Sequence, residues 1–131
     1  MRLILPLLVI LSGPASACQI PATFRVSDVA LGPIVVVAEV TDYRMGNHGG
    51  RLTLDVTEVL KGRSPGHLTV RWGFSLAEPP PETWDRRPRR VIVALSPDGQ
   101  AFDLVVETCG QAWLVPDTPE ARAEIKAALT P

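Results

Sequence analysis

Residues 51–73 read RLTLDVTEVLKGRSPGHLTVRWG, and apolar side chains alternate with polar ones in both halves of this stretch. Alternation with a period of two is typical of a strand that buries one face, so the stretch predicts strands at 51–59 and 67–73. The residues expected to point inward are Leu52, Leu54, Val56, Leu68, Val70 and Trp72. A phase change at Val59-Leu60 predicts a bulge or the end of the strand, and the glycines and proline of 61–66 predict a turn that joins the two strands as a hairpin.

Further strands are predicted on both sides of this hairpin. Residues 34–42 (IVVVAEVTD) begin as a continuous apolar run and then alternate, which is typical of a strand buried on both faces at one end only. Residues 90–96 form a second apolar strand, and residues 101–107 are expected to pair back against it. The sequence SPDG at 96–99 matches a type I turn between them. Residues 111–115 predict a last, short strand.

The C-terminal segment predicts a helix over 117–129. Its first residues, DTPE, supply a capping side chain, a proline in the first turn and an acidic residue near the positive end of the helix dipole. The residues expected to share one apolar face are Ala121, Ile125, Ala128 and Leu129. A second, short helix is expected at 27–31.

Five or six short strands followed by one helix predict a mostly β domain. The expected architecture is a small five-stranded antiparallel Greek-key barrel of the oligonucleotide/oligosaccharide-binding (OB) type, with a C-terminal α-helix. A β-sandwich is the alternative, although sandwiches usually have about seven strands. At 131 residues the chain is long enough for one domain and too short for two.

The first residues match a secretory leader. A basic Arg2 precedes a short apolar run, and an Ala-Ser-Ala sequence stands directly before Cys18. This pattern predicts a signal peptide at 1–17 and a single mature domain at 18–131, secreted or periplasmic. The apolar run is too short to span a membrane, so we expect no transmembrane span. A lipoprotein leader also ends before a cysteine, but usually has Leu where this chain has Ala15, so a lipid anchor on Cys18 is the alternative.

The two cysteines of the chain, Cys18 and Cys109, predict a disulfide bond, because exported domains with two cysteines usually join them. Closing a loop of this length stabilises a fold by roughly 4–5 kcal/mol if the effect is entropic. A reactive thiol is the alternative, but the sequence contains no Cys-x-x-Cys pair.

Composition argues against several classes of function. The 13 basic and 14 acidic residues leave a net charge of -1, which is unlike the basic surface of a nucleic-acid-binding protein. Two cysteines and two histidines are too few for the usual structural zinc site, and we expect no metal and no cofactor. Nor are aromatic side chains, which would stack with bases, expected on the outward face of the hairpin. That face comprises Thr53, Asp55, Thr57, His67, Thr69 and Arg71.

Residues 76–90 contain four prolines and predict a long loop. The candidate partner-binding surface on this loop comprises Trp84, Arg86, Arg87, Arg89 and Arg90. Arginine suits phosphate and carboxylate groups, and exposed Trp and Arg are enriched where proteins bind each other. The alternative is a solvated loop in which nearby acids balance the arginines and Trp84 folds back over the end of the barrel.

The runs IVVVAEVTD, LTLDVTEVLKG, HLTVRW, RRVIVALSPDG and VVETCGQAWLVP together resemble secreted netrin-like domains, a family of OB-fold barrels that includes the tissue inhibitors of metalloproteinases. The resemblance covers residues 18–115. It implies an OB barrel with a disulfide-bonded cysteine near the mature N-terminus. It also implies that the α-amino group and carbonyl oxygen of Cys18 could bind the zinc of a peptidase. The inhibitors begin Cys-x-Cys, whereas this chain has Cys18-Gln19-Ile20.

The sequence lacks the motifs of the common catalytic sites. There is no Gly-x-Ser-x-Gly, and the glycine-rich loop 43–50 has no phosphate-loop pattern. We therefore expect a non-catalytic binding or accessory module whose partner is a protein or an anionic molecule. One alternative is a peptidase inhibitor acting through Cys18. A second is a hydrolase without a recognisable motif, using His48 or His67 as its base.

Overall fold

The computed structural model describes residues 24–74, 79–106 and 111–131. Within these ranges the chain first forms a 3₁₀ helix, Val26–Leu31, close to the expected short helix at 27–31. The strands and the α-helix that follow are β1 (Ile34–Gly46), β2 (Gly49–Lys61), β3 (His67–Trp72), β4 (Arg90–Asp98), β5 (Ala101–Leu104), β6 (Leu114–Pro116) and α1 (Pro119–Leu129). In these ranges no helix is long and apolar enough to cross a membrane.

Five of the strands close into a barrel in the order β1-β2-β3-β5-β4, because β4 also pairs with β1. This order confirms the predicted OB-like barrel. The predicted antiparallel pairing is found in four of its seams, whereas the β3–β5 seam is parallel. The sixth strand, β6, is not part of the closed barrel and pairs with β4. An isolated bridge joins Val106 to Ala112, shortly before β6 in the sequence.

The long strands β1 and β2 are bent by irregularities in their register. Val35 lies opposite Lys61 whereas Val36 lies opposite Val59, so Leu60 is an extra residue on β2. Of the two interpretations of the phase change, a bulge or the end of the strand, the structure confirms the bulge, since β2 continues to Lys61. A further irregularity at Thr41 reverses the alternation along β1. Bulges increase the local twist of a strand, which helps two strands of this length to curve around a small barrel.

The turn between β4 and β5 differs from the predicted one. The SPDG sequence was expected to form the turn, but Pro97 and Asp98 belong to β4 and lie opposite Phe102 and Ala101. Gly99 and Gln100 make the turn instead, and Gly99 has φ 62°. Two-residue hairpins favour a residue with positive φ because this conformation matches the twist of the strands, and glycine adopts it without strain.

Two apolar layers hold the structure together. The barrel interior contains the residues predicted from the hairpin, with Leu52, Leu54, Leu68, Val70 and Trp72 buried and Val56 packed against them. A second layer lies outside the barrel, where outward-facing side chains of β1 and β4 pack under the 3₁₀ helix and α1. This layer consists of Val29, Ala30, Val35, Val37, Ile92, Ala94, Val115, Ala121 and Ile125. β1 and β4 are therefore apolar on both sides, which explains their continuous apolar runs.

Helix α1 begins two residues later than predicted. Thr118 is extended and caps the helix by accepting a hydrogen bond from the Ala121 amide at 3.1 Å. Asp117 stays outside the helix because its amide donates to the Arg90 carbonyl at 3.0 Å, next to the β4–β6 seam. Ala128, which was expected on the apolar face, is exposed.

Candidate functional site

Three aromatic side chains meet at the end of the barrel where β1 separates from β4. Tyr43 comes from β1, Trp72 from the end of β3 and Trp84 from the loop before β4. The ring centroids lie 6.5 Å apart for Tyr43 and Trp72, 5.4 Å for Tyr43 and Trp84, and 6.1 Å for Trp72 and Trp84. Such distances and the tilted rings are those of favourable aromatic pairs. Trp72 is buried in the barrel, and the other two rings cover it.

Residues 79–89, here called the mouth loop, are held against the end of the barrel by hydrogen bonds. The Tyr43 hydroxyl donates to the carbonyl of Pro81. The Trp84 indole donates to the carbonyl of Pro88 at 3.0 Å, and the Val40 amide donates to the carbonyl of Arg89 at 2.7 Å. Trp84 thus folds back over the barrel end, which was one of the two arrangements predicted for it.

Arg87 lies over the aromatic cluster. Its guanidinium carbon is 5.4 Å from the centre of the Trp84 ring and 5.8 Å from that of Trp72, within the range of cation–π attraction. Burial raises the pKa of the nearby Tyr43 hydroxyl above its ordinary value, and the positive charge of Arg87 partly opposes this rise. The guanidinium group of this exposed loop arginine therefore lies against two aromatic rings of the cluster.

A cleft of about 510 Å³ separates the mouth loop from the second half of β1. This mouth cleft is lined by Val40, Thr41, Asp42 and Tyr43 on one side and by Glu82, Thr83, Trp84, Asp85, Arg87 and Arg89 on the other. β1 pairs with β4 only as far as Glu39, whereas its pairing with β2 continues to Gly46. Among the described residues, the edge of β1 that turns away from β2 has no strand partner beyond Val40.

The arginines of the candidate surface predicted from the sequence lie in different places in the structure. Arg87 and Arg89 line the mouth cleft together with Trp84, whereas Arg86 is exposed outside it. Arg90 is the first residue of β4, and its side chain lies 3.8 Å from Asp117 near α1. The segment enters a strand at Arg90, and successive side chains of a strand point to opposite sides.

Sequence reasoning missed Tyr43 as a site residue because it placed residues 43–50 in a loop. In the structure β1 continues to Gly46, and only Asn47 and His48 form the turn to β2. Tyr43 packs on Gly50, where the Cβ atom of any larger residue would lie 2.5 Å from the tyrosine hydroxyl oxygen. The irregularity at Thr41 hides the continuing strand, because it interrupts the alternation by which a strand is recognised.

The two histidines lie away from the mouth cleft. His67 Nδ1 is 2.5 Å from Asp55 Oδ1, and these exposed residues are directly opposite each other on β3 and β2. A carboxylate that orients an imidazole is part of many hydrolytic sites. Among the described residues, no Ser, Thr or Cys side chain is hydrogen-bonded to His67. His48 lies in the β1–β2 turn.

The predictions for the cysteines concern residues outside the described ranges. Cys18 and Cys109, and with them the disulfide, the lipid anchor and zinc binding by the N-terminus, stay predictions, as does the signal peptide at 1–17. In the described parts of the chain, no three His, Cys, Asp or Glu side chains are grouped so that they could hold a metal ion.

No protein-family model matches the chain, and no curated protein matches it significantly. The resemblance to netrin-like domains therefore stays a prediction. The OB-like topology does not depend on it, because the strand order and the seams of the barrel establish that topology directly.

Proposed function

We propose that this protein is an exported, non-catalytic binding module that captures an extended segment of a partner protein in the mouth cleft. The observation that carries the proposal is the edge of β1 beyond Val40, which borders the cleft and has no strand partner among the described residues. An extended peptide can add to such an edge as a further strand, and main-chain hydrogen bonds then supply affinity.

The lining of the cleft suits a peptide better than a uniformly charged ligand. Asp42, Glu82 and Asp85 face it with negative charges, and Arg87 and Arg89 with positive ones. Trp84 adds an aromatic surface, and its ring is already held by the hydrogen bond to Pro88 and by packing on Tyr43 and Trp72. Groups fixed before binding lose less entropy when a ligand arrives, so they favour recognition.

The proposal includes the location and covalent state predicted from the sequence: export after removal of residues 1–17 and a disulfide between Cys18 and Cys109. Intact mass measured on the exported protein, with and without reductant, tests this part. A chain that begins at Cys18 and gains two hydrogens on reduction is expected. An acylated Cys18 would contradict both the disulfide and the peptidase-inhibitor alternative, and would make the protein a lipoprotein.

Selection from a random peptide library tests the binding site. We expect enriched peptides to slow amide hydrogen exchange at residues 41–46 of β1, and Trp84→Ala or Arg87→Ala to weaken their binding by about tenfold or more. Arg63→Ala, in the exposed turn between β2 and β3, is the control and should leave binding unchanged. Peptides that bind without protecting 41–46, or a library that yields no binder, would refute the proposal.

A hydrolase is the second candidate, and the hydrogen-bonded pair His67–Asp55 is the observation that favours it. A screen with ester, amide and phosphoester substrates tests this alternative. Turnover that His67→Ala abolishes and His48→Ala preserves would establish it. Absence of turnover with all three classes would leave the binding module as the function to pursue.

A further inference from the structure

Three arginines stand in one row across three neighbouring strands, on the side of the sheet that faces solvent. Arg44 of β1 is directly opposite Arg51 of β2, and Arg51 is directly opposite Arg71 of β3. All three are exposed. Side chains directly opposite each other point to the same side of a sheet, with their Cβ atoms about 5 Å apart. We call Arg44, Arg51 and Arg71 the arginine row.

The two ends of the row are partly neutralised. Arg71 donates to Asp103 at 2.6 Å and 3.1 Å and to Asp98 at 2.8 Å, and these hydrogen bonds raise its pKa above the ordinary value. Arg44 donates to Asp42 at 3.1 Å, in an ion pair that is exposed to solvent. Exposed pairs of this kind contribute little to stability.

The middle of the row is different. Arg51 forms no hydrogen bond or ion pair with any side chain in the part of the chain that the structure describes. It nevertheless has an arginine directly opposite on each side. Like charges in this position destabilise a sheet, so the arrangement by itself costs stability. An anion lying between the three guanidinium groups would remove that cost.

A shallow pocket of about 290 Å³ lies over the row, at the tip of the β1–β2 hairpin. Arg44, Arg51 and Arg71 all line it, together with His48 of the turn. The strand register and the lining of the pocket are thus two separate observations that place these three arginines next to one another. The pocket is distinct from the mouth cleft, in which none of these four residues takes part.

We propose that the arginine row binds an oxyanion, namely a sulfate or phosphate group. The planar guanidinium group donates parallel N–H bonds that match the oxygens of such anions. Next to the row, the outward positions of β2 and β3 carry Thr53, Thr69, Asp55 and His67. Asp42, Asp98 and Asp103 flank the row and limit its net charge, so affinity centres on Arg51. This inference goes beyond the proposed peptide cleft and does not depend on it.

Titration of the ¹⁵N-labelled protein with sodium sulfate, against sodium chloride at equal ionic strength, tests the proposal. We expect saturable shifts of the Arg44, Arg51 and Arg71 signals with sulfate only. Arg51→Gln should weaken binding about tenfold or more, because it removes charged hydrogen bonds. Arg63→Gln removes the same charge from an exposed turn and should leave sulfate binding unchanged. Equal weakening by both variants would show a general charge effect and overturn the site.

Thermal unfolding provides a second measurement that also checks the fold of the variants. Sulfate should raise the melting temperature of the unmodified protein more than chloride does, because a ligand that binds only the folded state stabilises it. Arg51→Gln should melt no lower than the unmodified protein in chloride, since it relieves repulsion, and should lose the gain from sulfate. A sulfate gain that persists in Arg51→Gln would overturn the proposal.

Comparison with a sulfated polymer shows whether the row binds a free anion or anionic groups on a polymer. Dextran sulfate, compared with neutral dextran, presents the same group on a chain. If dextran sulfate binds at sulfate-group concentrations far below those needed with sodium sulfate, the natural ligand carries its anionic groups on a polymer. If the affinity per sulfate group is equal, the ligand is the free ion. Both results support the site if Arg51→Gln removes them, and absence of saturation with either ligand overturns it.

Discussion

The outward sides of β1 and β4 and of β2 and β3 belong to one barrel but have different surroundings. The covered face, on β1 and β4, carries Val35, Val37, Ile92 and Ala94, all fully buried beneath the 3₁₀ helix and α1. The open face, on β2 and β3, carries arginines, threonines and the His67–Asp55 pair in solvent. All these strands contribute side chains to the same barrel interior. They differ in what covers their outward sides: a covered side stabilises the fold, whereas an open side is available for binding.

Ion pairs follow the same division. Near the covered face, Arg122 of α1 contacts Asp117 at 2.7 Å and Glu58 of β2 at 3.1 Å, and the Asp117 side chain is only 7% exposed. The hydrogen bond with Asp117 is the main reason that the pKa of Arg122 is raised. On the open face, the His67 and Asp55 side chains are 69% and 54% exposed. Solvent screens such exposed pairs, so we expect little stability from them.

The largest expected effect is the loss of a side chain that holds α1 on the covered face. Ile125 is fully buried there, and Ile125→Ala should lower the free energy of unfolding by about 2–5 kcal/mol. Thr69→Ala on the open face is the control and should change it by less than about 0.5 kcal/mol. Urea denaturation followed by circular dichroism measures both values, and similar losses would remove the distinction between the faces.

A smaller effect is expected when Asp117, whose side chain is 7% exposed beside α1, loses its charge. Asp117→Asn leaves Arg122 without its closest carboxylate and should cost about 1–3 kcal/mol. Asp98→Asn, at the end of β4, is the matched change, because its carboxylate is 70% exposed and contacts Arg71 of the open face. It should cost less than about 1 kcal/mol. If Asp98→Asn proves the more damaging change in urea denaturation, the open face is structural.

Tyr43 connects the barrel wall to the mouth loop, and its effect should depend on pH. Tyr43→Phe removes the hydrogen bond to Pro81 and should cost about 1 kcal/mol at neutral pH. Burial in the folded state raises the pKa of this hydroxyl above 10.0, so the folded protein holds the hydroxyl proton more tightly than the unfolded chain does. The resulting stability is complete below about pH 10 and is lost as the pH rises through the folded-state value.

Urea denaturation at increasing pH measures this loss, and Tyr43→Phe should lack its contribution. Tyr43 is the only tyrosine in the sequence, so the ultraviolet absorbance of tyrosinate reports its titration directly. A hydroxyl that titrates at or below its ordinary pKa would contradict the packing of the mouth loop on β1.

The smallest effect is expected at the pair His67–Asp55. A double-mutant cycle with His67→Asn and Asp55→Asn should give a coupling free energy below about 1 kcal/mol, because both side chains are mostly exposed. A larger coupling in urea denaturation would show that the open face is more rigid than its exposure indicates.

Patterns within single strands predicted most of the fold. Alternation identified the inward residues of β2 and β3, and the apolar runs of β1 and β4 indicated burial on two sides. The SPDG turn was misplaced because proline and glycine are compatible with more than one local turn, and the pairing of Pro97 with Phe102 decides between them.

Patterns that depend on register could not be read from the sequence. The alignment of Arg44 with Arg51 depends on the irregularities between β1 and β2, and that of Arg51 with Arg71 on the pairing of β2 with β3. The aromatic cluster likewise joins Tyr43, Trp72 and Trp84 from three separate segments. Trp84 and its neighbouring arginines stood out as a group, but only the tertiary structure shows which of them share a cleft.

The seam between β1 and β4 also affects how the chain folds. It pairs Ile34 with Leu95, so the barrel cannot close until β4 has been synthesised. Contacts between residues so far apart in sequence form slowly, and we expect folding in milliseconds to seconds. Until then β1 exposes the apolar edge that β4 later covers, and exposed edges promote aggregation. The apolar residues that make β1 the centre of the folded protein are therefore its main hazard during folding.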